Sequence, residues 1–193
     1  EEDLASGTAI AEQKVFNGSY TFAFVGRLEE AKGVGRIVEA LKAIPLEKIN
    51  KIHFVGDGLQ MDYYKEITSF LGAKVVFHGF LGKKDTHAVV AQAHFFLLPS
   101  DSEGFPKVIA EAACYGAIPV VSDVGSIPHY IKSSNGFVWK INQAITFSEV
   151  LKAAVHTPPA TLQEMAQNGT AVAQLFTFNQ YKNKLERLIF NKA

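Results

Sequence analysis

The chain has 193 residues, enough for one domain or two small ones with a real hydrophobic core. Apolar residues make up 48% of it and charged residues 20%, with 19 Lys plus Arg against 19 Asp plus Glu, so a basic surface for bulk nucleic-acid binding is not expected. No apolar run nears the roughly 20 residues of a membrane span, the opening Glu1-Glu2-Asp3 is acidic where a secretory leader would be basic, and the single Cys114 cannot form an internal disulfide, which suits a reducing compartment.

Residues 1–18 are polar and weakly patterned and carry no initiator Met. They read as a linker or N-terminal arm, and the chain as part of something larger. From Tyr20 short apolar runs alternate with amphipathic stretches. The runs Tyr20–Val25, Ile52–Val55, Val75–Phe77, Phe95–Leu98 and Ile118–Val121 are nearly continuous in Val, Ile and Phe. Strands buried on both faces look like this, so a parallel sheet is expected. Helical patterns lie between them at Val34–Leu41, Leu59–Leu71, Asp85–Ala93 and Pro106–Tyr115. This order predicts an α/β, Rossmann-like, doubly wound parallel sheet. A short helix over Ser126–Ile131 and a last strand over Gly136–Trp139 follow. Residues 147–190 read as C-terminal helices, interrupted near Thr157-Pro158-Pro159.

Ligands of such sheets sit beyond the carboxyl ends of the strands. Those ends read Gly26-Arg27, Gly56-Asp57-Gly58, His78-Gly79-Phe80, Pro99-Ser100 and Ser122-Asp123. In the first, Gly26 lets the chain turn off the strand. Arg27 and Lys32 then flank a loop that runs into a helix start near Gly33, so both cations can converge on a phosphate. They can equally pair with Glu29 and Glu30 in a solvated loop. Neither a Walker loop nor a dinucleotide fingerprint is present.

The second stretch runs from Ser100 to Glu111, with its loop ending at Gly104 and a helix starting around Pro106. Lys107 in the first turn opposes the helix dipole, typically by about 0.3–1 kcal/mol. A bound anion would offset that, and so would water around an exposed side chain. Glu103 precedes the helix and can point into the cleft. Glu111 lies in an apolar segment and needs a partner or a ligand hydroxyl there. Both also read as ordinary surface carboxylates. No His/Asp/Glu cluster has metal-ligand spacing, and the six histidines read as structural or exposed.

Gly26-Arg27-x4-Lys32-Gly33, followed by Glu103-Gly104-Phe105-Pro106-x4-Glu111, resembles the C-terminal domain of the group 1 glycosyltransferases, family four of the retaining GT-B enzymes. The segment from Gly116 to Pro128 resembles the family too, although Ser126 and His129 stand where it often has Gly and Glu. The likeness covers about Tyr20 to Trp139. It implies that residues 19–193 are a nucleotide-sugar-binding domain, one half of a GT-B fold, whose N-terminal acceptor domain would precede Glu1. It further implies that Arg27 and Lys32 hold the donor diphosphate and stabilise the leaving group, that Glu103 contacts the sugar, and that Glu111 binds the ribose. Backbone of Gly104, Phe105, Pro106 and Lys107 would line the donor, with N–H groups of Phe105 and Lys107 donating. Gly26, Gly56 and Gly79 would shape the site, and backbone at Phe80 and Leu81 would read the base. Arg27, Lys32 and Glu103 are the implied catalytic set.

No cofactor and no metal are expected. The implied partners are a nucleotide-diphosphate sugar and a carbohydrate or lipid-linked acceptor, with no nucleic acid. The implied location is cytoplasmic, with the full-length enzyme peripheral at the inner face of the membrane. The helices after Phe147 resemble a tail that crosses to the other domain, which would leave Phe176, Phe178 and Leu188 exposed here. Two other classes fit the architecture: a non-catalytic nucleotide-binding module, and a nucleotide-sugar hydrolase or epimerase.

Overall fold

The computed structural model describes residues 2–190. The elements in chain order are α1 (Glu2–Gln13), β1 (Tyr20–Val25), α2 (Val34–Lys42), β2 (Ile49–Val55), α3 (Met61–Ile67), β3 (Val75–Gly79), α4 (Lys83–Gln92) and β4 (Phe95–Leu98). Then come α5 (Lys107–Cys114), β5 (Ile118–Ser122), α6 (Ile127–Tyr130), β6 (Phe137–Trp139), α7 (Phe147–His156), α8 (Pro159–Leu175) and α9 (Phe178–Leu185). The six strands form one sheet in the order β3-β2-β1-β4-β5-β6, and every neighbouring pair is parallel. This is the expected doubly wound arrangement. The order reverses between β1 and β4, which opens a crevice beyond their carboxyl ends.

The central strands β1, β4 and β5 are buried because both faces carry helices. Phe22, Phe24, Phe54, Phe95 and Phe96 are fully enclosed, and the rings of Phe22 and Phe95 stack across β1 and β4 at 5.7 Å. In α2, Val34, Ile37, Val38 and Leu41 recur at helical spacing and are all buried. α7 starts on a capping box, with Thr146 and Glu149 bonding each other's backbone N–H.

Two features differ from expectation. The N-terminal arm is helical: α1 packs on α5 and α8, with Gly7 and Ala11 set closely against Cys114 and Gly116. Among its described side chains the close contacts are made by small residues, Gly7 and Ala11, which carry no apolar periodicity. The helix expected over Leu59–Leu71 divides at Thr68 into α3 and a 3-10 segment, Ser69–Lys74. There the Thr68 hydroxyl bonds back to the Tyr64 carbonyl at 2.6 Å and closes the turn. Phe176 is half-exposed, as expected of the tail, whereas the side chains of Phe178 and Leu188 lie outside the described residues.

Candidate functional site

The exits of β1, β2 and β3 are tied together by backbone bonds. Gly26 N–H donates to the Val55 carbonyl at 2.9 Å, Leu28 N–H to Asp57 at 2.9 Å, and Gly56 N–H to Gly79 at 2.8 Å. Gly56 has φ +127°, and a Cβ there would stand 2.0 Å from the Gly26 carbonyl oxygen, so only glycine allows the two loops to touch. Above them opens a cleft of about 620 Å³ lined by Gly26, Arg27, Gly56, Asp57, Leu59, Phe80, Leu81 and Thr86. Five of the residues marked in the sequence therefore share one cavity. Its rim is apolar, with Leu59 fully exposed and Phe80 84% exposed.

Beside this cleft, the β4–α5 loop lies against the β1–α2 loop. Asp101 N–H donates to the Ala31 carbonyl at 2.9 Å. Gly33, at φ +76°, ends the short 3-10 turn Glu30–Lys32, and a Cβ on it would sit 2.1 Å from the Pro99 oxygen. Arg36 grips the same loop: its guanidinium donates to the Pro99 carbonyl at 3.0 Å, pairs with Asp101 at 2.6 Å, and lies 5.4 Å from the centre of the Trp139 ring. From the other side, the Ser122 hydroxyl donates to the Ser100 carbonyl at 2.6 Å, and Ser126 donates its N–H and hydroxyl to the Gly104 carbonyl at 2.9 and 3.1 Å.

That pinning carries Glu103 to Lys32. The two side chains meet at 2.6 Å and are only 11% and 24% exposed. Arg27 is 76% exposed and pairs with Glu29 at 3.3 Å, the solvated-loop pairing considered for it. Lys32 does not pair with Glu30; its partner comes from the opposite loop.

Pro106 has extended backbone and serves as the N-cap, so α5 begins at Lys107, whose side chain is exposed. The Phe105 ring turns toward the C-terminal tail. It stacks on Phe176 at 4.4 Å and packs against Tyr130 at 4.8 Å, which leaves its backbone as the part able to serve a ligand. Glu111 stands at the edge of the buried face of α5, 38% exposed, with Nε2 of His87 at 3.8 Å from its Oε2. His87, from α4, also meets the Tyr115 hydroxyl at 2.9 Å through Nδ1. Neither His87 nor Arg36 stands out in the sequence, because their partners are distant in the chain and their residue types are common on helices. Among the described residues, no group of three or more His, Cys, Asp or Glu side chains could hold a metal ion, and no helix is long and apolar enough to cross a membrane.

Comparison with known proteins agrees with this architecture. A putative teichuronic acid biosynthesis glycosyltransferase of Bacillus subtilis is 30% identical over 136 residues, which is 69% of this chain and 32% of that protein. An uncharacterised glycosyltransferase of Methanocaldococcus jannaschii is 35% identical over 119 residues, 60% of this chain and 30% of its own length. The crystal structure of Anabaena HepE in complex with UDP and glucose superposes with a TM-score of 0.71 at 23% identity, covering 95% of this chain and 53% of that one. The chain thus spans about a third of these two curated relatives and about half of HepE. The family model described as "Glycosyl transferases group 1" matches residues 7–172. With the six-stranded parallel sheet, that match makes the chain a member of the group 1 glycosyltransferases, a C-terminal-type domain of their GT-B fold.

Proposed function

We propose that residues 19–193 form the nucleotide-sugar-binding domain of a glycosyltransferase that moves a sugar from a nucleoside diphosphate to a glycan or lipid-linked acceptor, with retention and without a metal. The observation that carries this reading is the single cleft that joins Gly26, Arg27, Gly56, Phe80 and Leu81, beside the Lys32–Glu103 pair and the start of α5. Its site lies beyond the strand ends, and HepE, similar in fold, was crystallised with UDP and glucose. On this reading the base takes the apolar cleft against backbone of Phe80 and Leu81. Glu111 takes the ribose, Arg27 and Lys32 take the diphosphate, and Glu103 takes the sugar. N–H groups of Phe105 and Lys107 serve sugar or phosphate oxygens.

Cleavage of the donor builds negative charge on the diphosphate. Cations fixed there stabilise the transition state more than the ground state. The acceptor binds to a second domain that precedes this one, so residues 1–193 alone bind donor and turn over little. The full-length enzyme is placed in the cytoplasm, peripheral at the inner membrane face.

Thermal-shift screening against UDP-, GDP- and ADP-sugars identifies the donor, since ligand binding raises stability by linkage. In the full-length protein, Arg27→Ala and Lys32→Ala should each lower transfer by about a hundredfold, within the range seen when a single preorganised charge partner is lost. EDTA should leave transfer unchanged. Undiminished transfer in both variants would overturn the mechanism. One observation favours a second reading, a non-catalytic nucleotide-binding module: each proposed phosphate cation is already paired with a carboxylate. Donor binding with no transfer or donor hydrolysis by the full-length protein would select it.

A further inference from the structure

α4 and α5 bring a second polar pair to Glu111. The Nε2 atom of His87 is buried and has no hydrogen-bond partner, and Glu111 Oε2 lies 3.8 Å away. On the far side of the ring, Nδ1 is 2.9 Å from the hydroxyl of buried Tyr115, and the two rings pack edge to face at 5.5 Å. These contacts fix the ring plane. The Tyr115 hydroxyl can donate to Nδ1 or accept from it; the facing carboxylate favours the form in which it donates, with the ring proton on Nε2. A lone pair at Nε2 would instead oppose a carboxylate oxygen.

The separation is roughly 1 Å beyond a hydrogen bond. A small rotation of the Glu111 side chain closes it, and leaving a buried N–H unpaired is unfavourable. A carboxylate held at one oxygen by an N–H keeps its remaining lone pairs for two adjacent hydroxyls, the pattern a vicinal diol presents. Ligand-site hydrogen bonds commonly tighten in this way when the ligand arrives.

We propose that His87 is a positioning residue, backed by Tyr115, that orients the Glu111 carboxylate toward the ribose diol of the nucleotide. This rests on the assignment of Glu111 to the ribose made above. His87 touches neither sugar nor phosphate. Its contribution is selectivity for a ribonucleotide over the same nucleotide without its 2′-hydroxyl.

The test is calorimetric titration of the full-length protein with UDP and 2′-deoxy-UDP, with the GDP and ADP pairs run in parallel, on wild type, Glu111→Ala, His87→Leu, His87→Gln and Tyr115→Phe. Glu111→Ala and His87→Leu should each weaken the ribonucleotide by about tenfold, the scale of one hydrogen bond to a charged group. Each should weaken the 2′-deoxynucleotide by a clearly smaller factor, since that ligand already lacks one of the two hydroxyl contacts. His87→Gln, which keeps a donor, should recover most of the ribose preference. Tyr115→Phe, a milder change that keeps the ring, should lose part of it. If His87→Leu weakens both nucleotides equally while Glu111→Ala remains ribose-selective, His87 merely packs, the inference is wrong, and the ribose assignment stands. If Glu111→Ala keeps the full ribose preference, the ribose assignment fails and this inference falls with it.

Discussion

The Lys32 ammonium and the Glu103 carboxylate stand 2.6 Å apart, and both are largely shielded from water. Each is therefore the other's counter-ion. A diphosphate that recruits Lys32 must share it with Glu103 or displace it. Glu103→Gln should raise affinity for a nucleoside diphosphate several-fold, about 1 kcal/mol, the scale of a partly exposed ion pair. It should also lower sugar transfer, since Glu103 is assigned to the sugar. Calorimetry with UDP, GDP or ADP alongside a transfer assay separates the two effects. Weaker nucleotide binding in this variant would mean that the pair organises the phosphate site and does not compete with it.

Gly33 leaves no room for a side chain against the Pro99 carbonyl of the facing loop. An alanine there meets the Pro99 oxygen at 2.1 Å and must also adopt φ +76°. Gly33→Ala should lower stability by roughly 2–4 kcal/mol, the sum expected of a left-handed backbone and a backbone clash. Urea denaturation checks it. A loss below about 0.5 kcal/mol, the ordinary range for a surface change, would show that the loops separate without penalty.

His53 and His78 form a stacked pair on β2 and β3, with His53 Nδ1 2.9 Å from His78 Nε2. Burial, then the neighbouring His78 and Lys51, pushes His53 down to about 4 from its ordinary 6.5. Burial shifts His78 in the same direction. A group whose pKa is depressed by folding contributes stability that is present above its unfolded value and lost as pH falls through its folded one. The urea midpoint should therefore fall between pH 6.5 and about 4, and His53→Phe should flatten that slope. An unchanged slope in the variant would assign the acid sensitivity elsewhere.

Phe176 closes over Phe105 with its ring nearly parallel, 6° between planes. Phe176→Ala should cost about 1 kcal/mol, the size of an aromatic pair at a half-exposed position. It should also raise the donor KM by loosening residues 103–107. A change in stability with KM untouched would separate the tail from the site loop.

The strands were legible because parallel sheets bury both faces. Phe95-Phe96-Leu97-Leu98 needs no partner information to read as a strand, and it observes its expected bounds. The Gly26–Gly33 and Glu103–Glu111 motifs were legible because each combines a strand exit with charge. What stayed hidden was pairing across distance. Nothing in the order of residues shows that Lys32 would choose Glu103 over nearby Glu30, since that choice depends on how Gly33 and Asp101 draw the loops together. The same holds for His87 and Glu111, which meet only because α4 and α5 lie side by side. α1 was missed because small residues make its contact and no apolar periodicity announces it.

Trp139 is the sole tryptophan in the sequence, is 8% exposed, and lies beneath the Arg36 guanidinium that grips Pro99 and Asp101. The chain thus contains its own optical gauge. Indole emission responds to a cation held over the ring, so a ligand that shifts the Pro99–Asp101 segment should register as a change in fluorescence without any added label.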